Sequence, residues 1–207
     1  MTTRISSWRC AALLGAALGL GCGHGSGVGR ASGAGETAVQ PFHHEKRADE
    51  KLTKYDLNRD GKPDVWEYTV AGKGADGTEV DRLVRKEMDA NFDGKPDVVT
   101  LYNEKEQVEQ VLLDLDYDGK VDVVNYYEKG ILVRKARMFG ATEKPDEWVY
   151  FEKGQIVRKE RALRCQGKVD YWEYWENGQV DRIGEDLDCD GKVDRWSKSP
   201  GKAADPG

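Results

Sequence analysis

The chain has 207 residues, with 38 acidic against 32 basic side chains, a formal charge of −6 and only 38% hydrophobic residues. A mean hydropathy of −0.75 leaves material for a lean core in one or two domains. The acidic balance gives no net field for nucleic acid or an anionic membrane surface. The longest apolar run, Ala11 to Leu20, is about half of the roughly 20 residues a spanning helix needs, which excludes a helical membrane bundle.

Residues 1–21 read as an export signal: Arg4 and Arg9 precede the apolar run, and small residues lead to Cys22. The stretch LGLGC resembles a bacterial lipobox. That resemblance implies a lipid on Cys22, a membrane partner through that lipid, and a place in the bacterial cell envelope, with the outer membrane first. Gly19 stands where the usual leucine would be, so plain cleavage and secretion is the alternative. Residues 22–54 form the next segment, a Gly/Ser-rich stretch that cannot bury apolar area, followed by the charged run FHHEKRADEKLTKY. We read it as a flexible tether with room for a helical turn or two, and His43 and His44 as solvated linker positions.

From residue 55 to 198 the chain repeats with a period of 24 residues. Gly61, Gly94, Gly119, Gly167 and Gly191 mark five copies, and a worn copy between them carries Glu143 at the glycine position. Each of the six units has a nine-residue loop, D-x-[DN]-x-D-G-K-[PV]-D in its intact form, then alternating apolar and polar residues around a short glycine turn. Period-2 alternation about Lys-Gly or Asn-Gly argues for β-hairpins. The expected fold is therefore all-β, a tandem of about six hairpins arranged as an antiparallel meander or a solenoid-like stack, with a disordered tail over 199–207. Such small units depend on their neighbours for stability. The extra residues AGKGADGTE in the first copy read as a lengthened hairpin turn.

In the intact loops, oxygens at positions 1, 3 and 5, glycine at 6 and a carboxylate at 9 have the spacing of a hard-cation loop, in which alternate side chains converge while glycine allows the bend. The candidate ligands are Asp56, Asn58, Asp60, Asp64 and Glu67 (position 12) in the first loop; Asp89, Asn91, Asp93 and Asp97 in the second; Asp114, Asp116, Asp118 and Asp122 in the third; and Asp186, Asp188, Asp190 and Asp194 in the sixth. Calcium is the cofactor this ligand set suits. The competing reading is a metal-free Asx turn. In the fourth and fifth copies positions 1, 3 and 5 become Met138, Gly140, Thr142 and Ala162, Arg164, Gln166, while Asp146 and Asp170 persist at position 9. The first three positions thus change as a set, as ligands of one ion would, and position 9 has a turn-forming role besides. Position 8, Pro or Val throughout, is an apolar plug aimed at the sheet.

The loops DLNRDGKPDV, DANFDGKPDV and DLDYDGKVDV resemble the calcium loops of bacterial FG-GAP and VCBS repeats, and VNYYEKGILVRK and VYFEKGQIVRKE resemble YD-type hairpin repeats of surface proteins. The likeness implies a calcium-dependent surface β-repeat and fixes no activity.

Two residues after each position-9 aspartate stands Trp66, Val99, Val124, Trp148, Trp172 or Trp196, and two further on a Tyr or Leu in five copies. Residues i and i+2 share a face, so this is a stripe: the core of a thin sheet, or a platform for glycans. The opposite face also carries aromatics, which predicts a curled or covered sheet. Cys165 and Cys189 occupy position 4 of adjacent copies, and after export they are expected to form a disulfide. Between Glu45 and Trp196 there is neither histidine nor serine, so no Ser-His or Cys-His apparatus can be assembled there. The functional expectation is a non-catalytic envelope lipoprotein with a structural or interaction role and an unknown protein or glycan as partner. A carbohydrate-binding lipoprotein is the alternative, and a carboxylate hydrolase comes third.

Overall fold

The computed structural model describes residues 45–140 and 144–198. The signal segment, Cys22, the tether as far as 44 and the 199–207 tail lie outside the described residues. Twelve strands form one antiparallel sheet: β1 (Lys51–Tyr55), β2 (Val65–Lys73), β3 (Glu79–Met88), β4 (Val98–Tyr102), β5 (Val108–Leu113), β6 (Val123–Glu128), β7 (Ile131–Arg137), β8 (Glu147–Glu152), β9 (Gln155–Arg161), β10 (Tyr171–Glu176), β11 (Gln179–Glu185) and β12 (Arg195–Lys198). Spatial order equals chain order. The expected all-β meander is the architecture, and the solenoid alternative is set aside because every strand pairs only with its chain neighbours.

Two boundaries differ from expectation. Strand β1 begins at Lys51 and pairs with β2 from Lys51 opposite Thr69 to Tyr55 opposite Val65, and Glu50 is already buried. The last residues assigned to the tether therefore belong to the sheet, and among the described residues before them one turn is closed by the Glu50 amide on the Arg47 carbonyl at 3.2 Å; the β-favouring Thr53 and Tyr55 and an available strand edge extend the chain from Lys51. The inserted AGKGADGTE also does not lengthen the turn alone. Ala71 to Lys73 continue β2 and Glu79 opens β3, giving strands of 9 and 10 residues.

Each nine-residue loop joins an odd strand to an even one, so all six loops lie at the same end of the sheet. The glycine turns lie at the other. Three of these are two-residue turns with both residues at positive φ, as in Lys129 (52°) and Gly130 (78°), the backbone a type I′ hairpin requires. Every hairpin closed at that end carries a register shift at one repeated place, after Tyr68, Leu101, Tyr126, Tyr150 and Tyr174. Repeated bulges add local twist.

The core is one row of side chains running across the strands. Val99, Leu112, Val124 and Ala136 are aligned by register, between 0% and 1% exposed, with Trp148 packed against them. Val121 at position 8 folds over this row from its loop, as the plug expectation requires. Gly184 shows how tight the roof is: a Cβ there would come within 3.1 Å of Val193 and Trp196. The next row carries tyrosine–arginine pairs, interrupted by Leu101 and Gln110, with guanidinium carbons 3.7–4.7 Å from ring centres in Arg85–Tyr68, Arg134–Tyr126, Arg158–Tyr150 and Arg182–Tyr174. On the opposite face Tyr102, Tyr127, Phe151 and Trp175 stand opposite Val108, Leu132, Ile156 and Val180, and all are half-buried.

Candidate metal centre

Position 9 is the fixed point of every loop. Its amide donates to the carbonyl of the residue before position 1 in all six copies, from Asp64 to Tyr55 through Asp194 to Glu185, at 2.8–2.9 Å. Its carboxylate accepts the position-2 amide at 2.6–2.8 Å, from Leu57, Ala90, Leu115, Phe139, Leu163 and Leu187. Its carbonyl accepts the position-1 amide of the next loop at all five junctions. This is why Asp146 and Asp170 outlast the acids around them: they close the turn whether or not an ion is bound.

The other loop acids accept loop amides too, the position-1 aspartate through both oxygens in three of the four intact loops. In the intact loops the position-6 glycine, at φ 85–93°, donates to the position-1 Oδ2 at 2.7–2.9 Å. The position-5 amide donates to the position-3 Oδ1, and the position-7 amide to the position-5 Oδ1. These are Asx-turn bonds, so the turn and cation readings do not exclude each other. A carboxylate oxygen that accepts one amide keeps a second lone pair, so a side chain that shapes the loop can still serve a ligand.

The loops then differ. Among the described residues, two groups of three carboxylates place ligand oxygens all within 4.8 Å of one another: Asp114, Asp116 and Asp122, and Asp186, Asp188 and Asp190. Asp118 and Asp194 are outside these groups, and the first two loops form no such group. There Asn58 and Asn91 turn their Nδ2 toward Asp60 and Asp93 at 3.3 Å. In the third and sixth loops a lysine does this work instead, with Lys120 Nζ 2.6 Å from Asp118 and Lys192 Nζ 2.7 Å from Asp190. Those hydrogen bonds lower the Asp118 and Asp190 carboxyls from their ordinary values and raise the two lysines. Burial pushes Asp186 up, but the amides of Gly191, Cys189, Asp188 and Asp190 outweigh it and hold the carboxyl low.

The two acid-poor loops have found substitutes. Met138, at position 1 of the fourth, is 7% exposed and joins the core. In the fifth, Arg164 brings a cation of its own: Nε lies 3.7 Å from Asp170, and Nη2 donates to the Asp186 carbonyl at 3.2 Å. The Cys165–Cys189 disulfide is present, with Cα atoms 5.5 Å apart, and clips this loop to the sixth.

Glu67 is placed on strand β2, where it accepts from Tyr55 and pairs with Lys86 at 3.1 Å; the structure does not gather it with the loop acids. Asn125, at the same position of the third loop, stands on β6 opposite Val111 and Lys135.

One feature was missed in the sequence. Position 2 is apolar in every copy, and Leu57, Leu115, Phe139, Leu163 and Leu187 are 50–68% exposed. Their amides are used by position 9 while their side chains project outward. The signal was there in the aligned repeats, since a position that stays apolar without joining the core needs another explanation.

A cavity of 520 Å³ lies beside strands β3 to β5, lined by Glu50, Arg82, Arg85 and Tyr102 among others. Its charges largely serve one another, Arg85 reaching Glu50 at 3.5 Å and Arg47 reaching Glu50 at 3.0 Å.

No family model and no curated protein matches the chain. Among solved structures it is similar to parts of a GtfA/B complex (20% identity, TM-score 0.39, 51% of this chain and 20% of that one). It is also similar to parts of a glycosylation-associated protein complex from Streptococcus agalactiae (12%, 0.38, 45% and 18%) and of the accessory secretory protein 1, 2 and 3 structure from Streptococcus pneumoniae (14%, 0.34, 68% and 21%). The chain thus spans about a fifth of each of these.

Proposed function

We propose that the chain is a lipid-anchored protein of the bacterial cell envelope whose β-meander is braced by calcium in the loops along one end, with a structural or binding role and no catalysis. The observation that carries this reading is the pair of carboxylate groups, Asp114–Asp116–Asp122 and Asp186–Asp188–Asp190, each formed in a loop whose amides already fix the acids in place. Like charges held this close repel unless a cation joins them, and three to four hard oxygens with room for water suit calcium. The row of exposed apolar side chains at position 2 supports a binding role at the same end of the sheet. The buried carboxylates of the sheet itself, Glu87, Glu147 and Glu160, are engaged by Arg85, by Arg161 and by Arg158, which favours support over acid-base work.

Burial weighs against the glycan alternative in the middle of the stripe, while Trp196 at its end is 52% exposed. Trp172 is 8% exposed, and the tyrosines next to the tryptophan row carry stacked guanidiniums. Thermal unfolding with a chelator and with millimolar calcium tests the main reading. Calcium at about a hundredfold over its Kd should add about 2.7 kcal/mol per site, read as a rise in Tm. An unchanged Tm overturns the calcium assignment.

A further inference from the structure

The loops are not equivalent, and the third stands apart on two counts. In the other three intact loops the position-1 Oδ1 accepts the position-4 amide: Asp56 from Arg59 at 2.6 Å, Asp89 from Phe92 at 2.7 Å and Asp186 from Cys189 at 2.7 Å. In the third, Asp114 Oδ2 accepts from Gly119 at 2.7 Å, but Oδ1 is buried with no donor, in a residue 4% exposed. A carboxylate oxygen shielded from water and left without a donor is unfavourable. Asp114 belongs to the group with Asp116 and Asp122, so the donorless oxygen sits on a residue of the carboxylate cluster itself.

The second count concerns the fourth acid. Asp118 stands outside that group and is held by the Lys120 ammonium in a pair whose side chains are 62% and 42% exposed. An exposed pair of this kind is weak and opens readily. In the sixth loop the corresponding acid, Asp190, is already inside the group, and both oxygens of Asp186 have amide donors, so an ion there must compete with the loop's own bonds.

We infer that the third loop is the principal cation site of the chain, and that Lys120 is its built-in counter-ion, releasing Asp118 to the metal when a hard divalent cation enters. This rests on the calcium reading above. The site takes the ion through Asp114, Asp116 and Asp122, with Asp118 recruited as the fourth carboxylate. The first two loops, where an asparagine already serves the position-5 acid, fill later.

The test uses the full mature chain with Cys22→Ser, so that it is handled without lipid. Calcium binding is followed by calorimetry, and terbium by luminescence excited through Tyr117, which is 52% exposed at position 4 of the same loop. The tightest binding phase should weaken about tenfold or more in Asp114→Asn and stay within about twofold in Asp56→Asn. Lys120→Met, an exposed change that leaves the fold intact, should tighten that phase by about threefold and should decide the matter alone if Asp114→Asn fails to fold. Equal weakening by the two aspartate variants, or no tightening in Lys120→Met, overturns this inference while leaving calcium binding in place. A flat wild-type titration overturns the calcium reading and this inference together.

Discussion

Arg158 and Tyr150 share one carboxylate. The guanidinium carbon lies 4.1 Å from the centre of the tyrosine ring, the hydroxyl donates to Glu160 at 2.9 Å, and Arg158 Nε approaches the other oxygen of Glu160 at 3.3 Å. Tyr68, Arg85 and Glu87 repeat the arrangement toward the other edge of the sheet. A single-layer sheet has no second layer to cover its core, and these stacked rings and guanidiniums supply cover from the adjacent row.

The Tyr150 phenol should titrate late. Burial above all, then the charge of Glu160 and the hydrogen bond to it, push it up to about 12. The folded value exceeds the unfolded one, so this contribution to stability is complete below pH of about 10 and is lost as pH rises toward about 12. Absorbance titration should show a phenolate phase near the upper value, absent in Tyr150→Phe. Complete tyrosine ionisation by the ordinary phenol pKa would contradict the geometry.

Removing Arg85 should cost more than removing its partners. The residue is 4% exposed, and Arg85→Ala takes from the buried Glu87 and Glu50 a cation that both contact, leaving Arg47 beside Glu50. A loss of about 3–5 kcal/mol is expected in urea unfolding. Adding Glu50→Gln and Glu87→Gln should recover much of it, and a triple variant as unstable as the single one would show that the charges are not the cause.

Leu112 and Leu115 make a matched pair, three residues apart and opposite in environment at 0% and 60% exposed. Leu112→Ala should lose about 2–5 kcal/mol and Leu115→Ala no more than about 0.5. Because Leu115 belongs to the outward row at position 2, a loss of partner binding without a loss of stability would mark that row as the interaction surface.

Much of this was legible because the repeat is local. Period, turn chemistry and the pairing of Cys165 with Cys189 follow from residues at fixed spacing, and the persistence of Asp146 and Asp170 pointed to the turn role that position 9 performs. What the residue pattern does not encode is where flexible side chains settle. Whether Asp118 joins Asp114 or turns to Lys120, or whether Glu67 reaches the loop or stays with Lys86, is decided by rotamers and neighbours rather than spacing. Met138 looked like a lost ligand, whereas in the fold it is a gained core residue. Strand β1 was hidden because its five residues, two of them lysines and its two apolar ones three apart, carry no period-2 alternation to outvote their polar surroundings.

Opening the disulfide should loosen one end of the sheet selectively. A link between residues 24 apart is worth on the order of 3 kcal/mol in the chain-entropy model. Cys189 also donates its amide to Asp186, so Cys165→Ser should raise hydrogen exchange in β9 to β12 and weaken ion binding in the sixth loop. Strands β4 to β6 should keep their protection. Alkylation of both cysteines in unreduced protein would rule out the bond.

Spatial order equal to chain order has a kinetic meaning. Every pairing joins residues close along the chain, so closing each hairpin requires little loop entropy, and an all-β chain of this topology should fold faster than a sandwich of its size. Folding can begin at any type I′ turn and spread outward in both directions. The backbone bonds that link position 9 of one loop to position 1 of the next would then act as the latch that commits each newly added strand.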